Sequence, residues 1–101
     1  MVAYKKIVVW DKKALNQLKE TYNYLKKKSI LSANKVRTRI LEEAKNLYKN
    51  PDIYELDRFK AHNDGNYRPF EIYSFRIAYR ITETEIRILR VRHSSREPRK
   101  Y

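Results

Sequence analysis

The chain reads as an α+β fold. It begins with an N-terminal strand and an antiparallel two-helix hairpin. A three-stranded antiparallel meander then completes a four-stranded sheet. Three observations predict this. In the last third, NYRPFEIYSFRIAYRITETEIRILRVRH, β-branched and aromatic residues partly alternate with period two, in runs broken only at Tyr73-Ser74 and Thr82-Glu83-Thr84. In the first half, two long stretches repeat apolar residues at helical spacing. Between these halves lies an irregular stretch that contains the only glycine.

Residues 4–10, YKKIVVW, form the predicted first strand, and Asp11 suits the N-cap of the helix that follows. In that helix Leu15, Leu18, Tyr22 and Leu25 make one apolar stripe. It should end near Lys28, where Lys26-Lys27-Lys28 meet the negative end of its dipole. A break at 29–32 precedes a second helix whose stripe is Ala33, Val36, Ile40, Ala44 and Leu47, widened by Leu41 and Tyr48. Asn50-Pro51 stops it, because proline disfavours a helical residue before it. So short a connection makes the two helices a hairpin, with both stripes facing one sheet.

Residues 51–66 are the least regular. Tyr54, Leu56 and Phe59 are expected to tack this connector onto the core, and Asn63-Asp64-Gly65-Asn66 forms a turn. In 75–81, Phe75, Ile77, Tyr79 and Ile81 share one face, while Arg76, Ala78 and Arg80 share the other. In 85–93, Ile86 and Ile88 fall on the face of Arg90 and Arg92, with Leu89 and Val91 opposite. Apolar on both faces in its middle, this strand is expected to be central. Short breaks imply hairpins and antiparallel pairing.

A length of 101 residues fits one domain, residues 1–101, and 42% apolar against 36% charged residues leaves a thin core. Nine tyrosines suit its amphipathic edges. No apolar run is long enough to span a bilayer, and the first residues lack a secretory pattern. Zero cysteines exclude disulfides and thiolate metal sites and suit the cytoplasm. His62 and His93 lie too far apart in sequence for a structural zinc, so no metal and no cofactor is expected.

The formal charge of +12 points to a polyanionic partner: nucleic acid, an acidic protein or an anionic surface. The lysine run at 26–28 reads equally as a solvated face. The C-terminal cations are harder to explain that way. Arg87, Arg90, Arg92, Arg96, Arg99 and Lys100 have only Glu97 among them, and arginine suits bidentate contact with oxyanions.

With these pieces in order the chain resembles the RelE/ParE superfamily of bacterial toxins from type II toxin–antitoxin systems. The likeness rests on VVW followed by Ala14-x-x-x-Leu18 and Tyr24-Leu25, then on Leu47-x-x-Asn50-Pro51. It rests further on the strand Phe75-Arg76-Ile77-Ala78-Tyr79-Arg80-Ile81 and on Ile88-Leu89-Arg90-Val91-Arg92-His93 with its arginine-bearing tail. It covers nearly the whole chain. It implies an acidic cognate antitoxin as partner, no membrane association and one of two mechanisms. RelE-like members cut mRNA in the ribosomal A site, and ParE-like members poison DNA gyrase without any nuclease apparatus.

RNA cleavage by attack of a 2′-hydroxyl needs a proton acceptor, a cation beside the extra negative charge and a proton for the leaving oxygen. On the resemblance, Arg76, His93, Arg96 and Tyr101 are the catalytic candidates. Arg76 matches the arginine of the family's Tyr-Arg strand, and His93 falls where the YoeB branch has a histidine. Arg96 and Tyr101 match a tail arginine and tyrosine with a one-residue shift. Arg68 falls near a nuclease lysine, whereas Phe70 stands where a second lysine would be. Arg68, Arg80, Arg90 and Arg92 are the candidate nucleic-acid contacts. The leading expectation is a ribosome-dependent mRNA endonuclease. A gyrase inhibitor and a degenerate member that only binds antitoxin or RNA are the alternatives, since the long helical hairpin and the Arg90-Val91-x-His93 strand end look equally ParE-like. Arg76 is also expected to lie outside the core and to matter little for folding.

Overall fold

The chain adopts a helical layer on a mixed four-stranded sheet, seen in a computed structural model that describes residues 6–94 and 100–101. The elements are β1 (Ile7–Trp10), α1 (Lys12–Lys26), α2 (Ile30–Asn46), β2 (Tyr67–Ile72), β3 (Phe75–Ile81) and β4 (Glu85–His93). A single 3₁₀ turn, Leu47–Lys49, closes α2 before Pro51. Strand order is β1-β4-β3-β2. The two hairpins pair antiparallel as predicted, and β1 lies parallel to β4, from Ile7 beside Glu85 to Trp10 beside Ile88. A parallel neighbour needs a crossover, and the helical hairpin supplies it.

Local chemistry departs from expectation at both helix starts. Asp11 occupies the N-cap of α1 but makes no side-chain cap bond. Its carboxylate instead accepts from the Arg87 guanidinium at 2.7 Å, which ties the start of the helix to β4. The predicted break at 29–32 shrinks to the three residues Lys27-Lys28-Ser29. Ser29 caps α2 by accepting from the Ser32 N–H at 3.2 Å, so Ile30 and Leu31 are helical and exposed.

The core follows both stripes with one rotation. Ala33, Val36, Ile40, Ala44 and Leu47 are buried as expected. On α1 the buried pair is Ala14 and Leu18, while Leu15 stays 48% exposed. Alanine at the contact lets the helix approach the sheet closely, and the stripe then runs Ala14, Leu18, Leu25. Leu41 and Leu56 are likewise exposed and do not widen the core. Tyr54 packs against Phe70, with ring centroids 6.1 Å apart. Opposite the helices lie Phe70, Ile72, Phe75, Ile77, Tyr79, Ile86, Ile88 and Val91.

Val91 reaches that face through a bulge. Ala78 pairs with Arg90 and Tyr79 pairs with Ile88, so Leu89 is an extra residue and the alternation of β4 inverts beyond it. The expected sharing of a face by Ile86, Ile88, Arg90 and Arg92 is therefore overturned. Register puts Arg90 and Arg92 beside Ala78 and Arg76, on the sheet face turned away from the helices. Tyr67, Glu71, Arg80 and Arg87 lie on that same face. Ala78 on it is only 1% exposed, because the connector and Tyr101 cover it.

Candidate functional site

The cover is made by one carboxylate. Asp57, in the connector, is 1% exposed and is the only buried charged residue among those described. Its Oδ1 accepts from the Phe59 N–H at 3.0 Å and from an Arg76 guanidinium nitrogen at 3.0 Å. Its Oδ2 accepts from the Tyr101 hydroxyl at 2.6 Å. Burial alone would raise its pKa. The bonds from Tyr101, Phe59 and Arg76 outweigh burial and hold the carboxyl below its ordinary range. The second nitrogen of Arg76 donates to Glu71, its cross-strand neighbour, at 3.2 Å.

Tyr101 is clasped on every side. Its N–H donates to the Phe59 carbonyl at 2.8 Å, and its carbonyl accepts from the Ala61 N–H at 2.6 Å, a strand-like bridge to the connector. The ring meets Tyr67 edge-on at 6.2 Å, with the Arg90 guanidinium 4.0 Å over it. Burial, and then donation to Asp57, push the phenol's pKa well above its ordinary value. Such a hydroxyl stays protonated and serves as a donor. Burial also lowers the pKa of Arg90, which is flanked by Arg92 and Arg76.

The structure thus brings Arg76, Tyr101, Arg90 and Arg92 onto one face. Arg76, expected on a solvated face, is instead ion-paired to a buried acid, with 15% of its side chain exposed. Its expected indifference to folding is overturned, because its removal would strand that acid. His93 stands at the end of β4, with its ring edge-on to Phe75 at 5.0 Å. Arg96 lies outside the described residues. Arg68 points elsewhere: register puts it on the face of Tyr79. Its guanidinium donates to the carbonyls of Asp52 at 3.3 Å, of Tyr54, and of Gly65 at 3.4 Å. It therefore anchors the connector and is not placed to grip a nucleic acid. Arg80 is exposed, with its guanidinium 5.3 Å over the Tyr67 ring.

A recess of about 210 Å³ opens beside this cluster, lined by Arg58, Phe59, Glu71, Arg76, Arg90, Arg92, His93 and Ser94. Its chemistry is that of an oxyanion site. Among the described residues no His, Cys, Asp or Glu cluster could hold a metal, and no helix is long and apolar enough to cross a membrane.

Sequence reasoning missed Asp57, Phe59 and Lys60, whose ammonium lies 4.7 Å over the Tyr67 ring. One signal pointed there. A C-terminal third so rich in arginine needs a carboxylate from elsewhere in the chain before any of it can be buried.

Comparison with known proteins agrees with this architecture. A family model described as "ParE toxin of type II toxin-antitoxin system, parDE" matches residues 8–98. A solved structure titled "Chromosomal ParDE TA system from P. aeruginosa" superposes with a TM-score of 0.70. It is 23% identical and covers 90% of this chain and 98% of its own. A YoeB dimer from Staphylococcus aureus gives a TM-score of 0.56 at 16% identity, over 88% of this chain and 97% of its own. No curated protein matches.

Proposed function

This chain belongs to the ParE toxin family of type II toxin–antitoxin systems, and from that premise we propose that it acts by binding and blocking DNA gyrase in the cytoplasm. It does so without cutting RNA. Membership implies a cognate antitoxin, which we take to be acidic, in keeping with the charge of +12.

The observation that carries the reading is the state of Arg76 and Tyr101. A phosphoryl-transfer site needs a cation free to gain interaction as negative charge develops, because only interactions stronger in the transition state accelerate the step. The Arg76 charge is already met by Asp57 and Glu71 in the resting protein. The Tyr101 proton is held on a phenol whose pKa is raised, so the group is no base at neutral pH. What remains is a rigid cationic face, suited to docking.

One observation favours the second reading, ribosome-dependent mRNA cleavage: Arg76, Arg90, Arg92 and His93 line a single recess. Supercoiling by purified gyrase and cleavage of mRNA on programmed ribosomes, each with added toxin, separate the two. The expected result is lost supercoiling, double-strand breaks in induced cells and intact mRNA. Cuts within codons, with DNA intact, would overturn the gyrase reading.

A further inference from the structure

Arg92 stands apart from the other arginines of the sheet. Arg76 is met by Asp57 and Glu71, and Arg87 by Asp11 and Glu85. Arg92 has no carboxylate within ion-pair distance among the described residues. Its Nε is buried without a hydrogen-bond partner. Its cross-strand neighbour is another arginine, Arg76, and like charges in that position repel. A buried donor left open beside a second cation is short of an anion.

What lies on either side of Arg92 narrows the choice of anion. Together with His93 it forms a wall common to two recesses. The first is the arginine recess already described. The second, of about 330 Å³, has Phe75 and Val91 as apolar lining, with the exposed ring of Tyr24 and the side chain of Thr21 beside them. An oxyanion fits one side and an apolar side chain the other. That pairing belongs to a peptide. A phosphodiester chain would find Glu71 in the first recess and little to hold it in the second.

We propose that the Arg92–His93 ridge is the docking point for an acidic, amphipathic segment of the antitoxin. A carboxylate enters the recess of Arg58, Arg90 and Arg92, and a neighbouring apolar side chain enters the recess of Phe75, Val91 and Tyr24. This deepens the reading above and rests on it for the identity of the partner.

The test is a titration of the full chain with three probes: an alternating glutamate–leucine octapeptide, octaglutamate and octauridylate. Four proteins are compared: wild type, Arg92→Gln, Tyr24→Ala and the distant charge control Lys27→Gln, each checked by melting temperature. The mixed peptide should bind wild type more tightly than octaglutamate does. Arg92→Gln should weaken both peptides by roughly tenfold or more, as expected for loss of a charge-assisted hydrogen-bond pair. Tyr24→Ala should weaken only the mixed peptide, and Lys27→Gln neither beyond about twofold, as an exposed charge does. Equal losses from Arg92→Gln and Lys27→Gln would reduce the effect to bulk charge and overturn the proposal. So would Arg92-dependent binding of octauridylate alone. Co-purification with the protein of the neighbouring reading frame separates the two levels. A complex that survives Arg92→Gln undiminished refutes the ridge and leaves the antitoxin reading standing, whereas no complex with wild type refutes that reading.

Discussion

At the scale of single residues, stability on the second face turns on Asp57. Arg76→Ala should leave this carboxylate buried beside fewer donors and cost about 3 kcal/mol or more, measured by urea unfolding. Tyr101→Phe removes one hydrogen bond to a charged acceptor and should cost about 1.5–3 kcal/mol. The pH dependence follows from the two shifts. Asp57 titrates below its ordinary value when folded, so its contribution is present above the unfolded value of about 3.9 and is lost as pH falls through the lower folded one. Tyr101 titrates above its ordinary value when folded, so its contribution is present below about 10 and is lost as pH rises beyond that. Wild type should therefore show a plateau between these limits. Asp57→Asn should lose much of the acid limb and Tyr101→Phe much of the alkaline one. Arg76 and Tyr101 were legible in the sequence as chemistry, through family resemblance. The acid that joins them was not, because Asp57 belongs to an irregular connector where no periodicity marks which side chain turns inward.

At the scale of elements, order and type could be read from the chain, since four strands and two helices carry strong periodic patterns. Faces were harder. One extra residue, Leu89, reverses everything after it in β4, and a bulge has no signature beyond the imperfect alternation it causes. Deleting Leu89 should restore simple alternation, swing Arg90 and Arg92 under the helices and abolish cooperative folding, seen as a lost urea transition by circular dichroism. The rotation of α1 escaped for a related reason. Ala14 and Leu15 fit the same helical stripe within one position, and only the closeness of the sheet decides between them. Ala14→Leu should then overpack the contact by about 1–3 kcal/mol. Leu15→Ala, on a half-exposed position, should cost less than Leu18→Ala at its buried neighbour.

At the scale of the whole molecule, the charge of +12 is distributed as a few neutralised arginines and many open cations. Association with an acidic antitoxin should accordingly slow by about tenfold or more from low to high salt, with stopped-flow mixing as the measurement. The sheet order has an effect on timing as well. Its inner strand β4 is encoded late, and its parallel neighbour β1 is encoded almost first, with 78 positions between Ile7 and its partner Glu85. Translation at about 5–20 residues per second puts some 4–16 s between making the two. Until β4 leaves the ribosome, β1 has no strand to join and the helical hairpin has no complete sheet to cover. A nascent toxin of this topology is harmless while it is being made, and an antitoxin already folded nearby can meet it at the moment its surface first comes together.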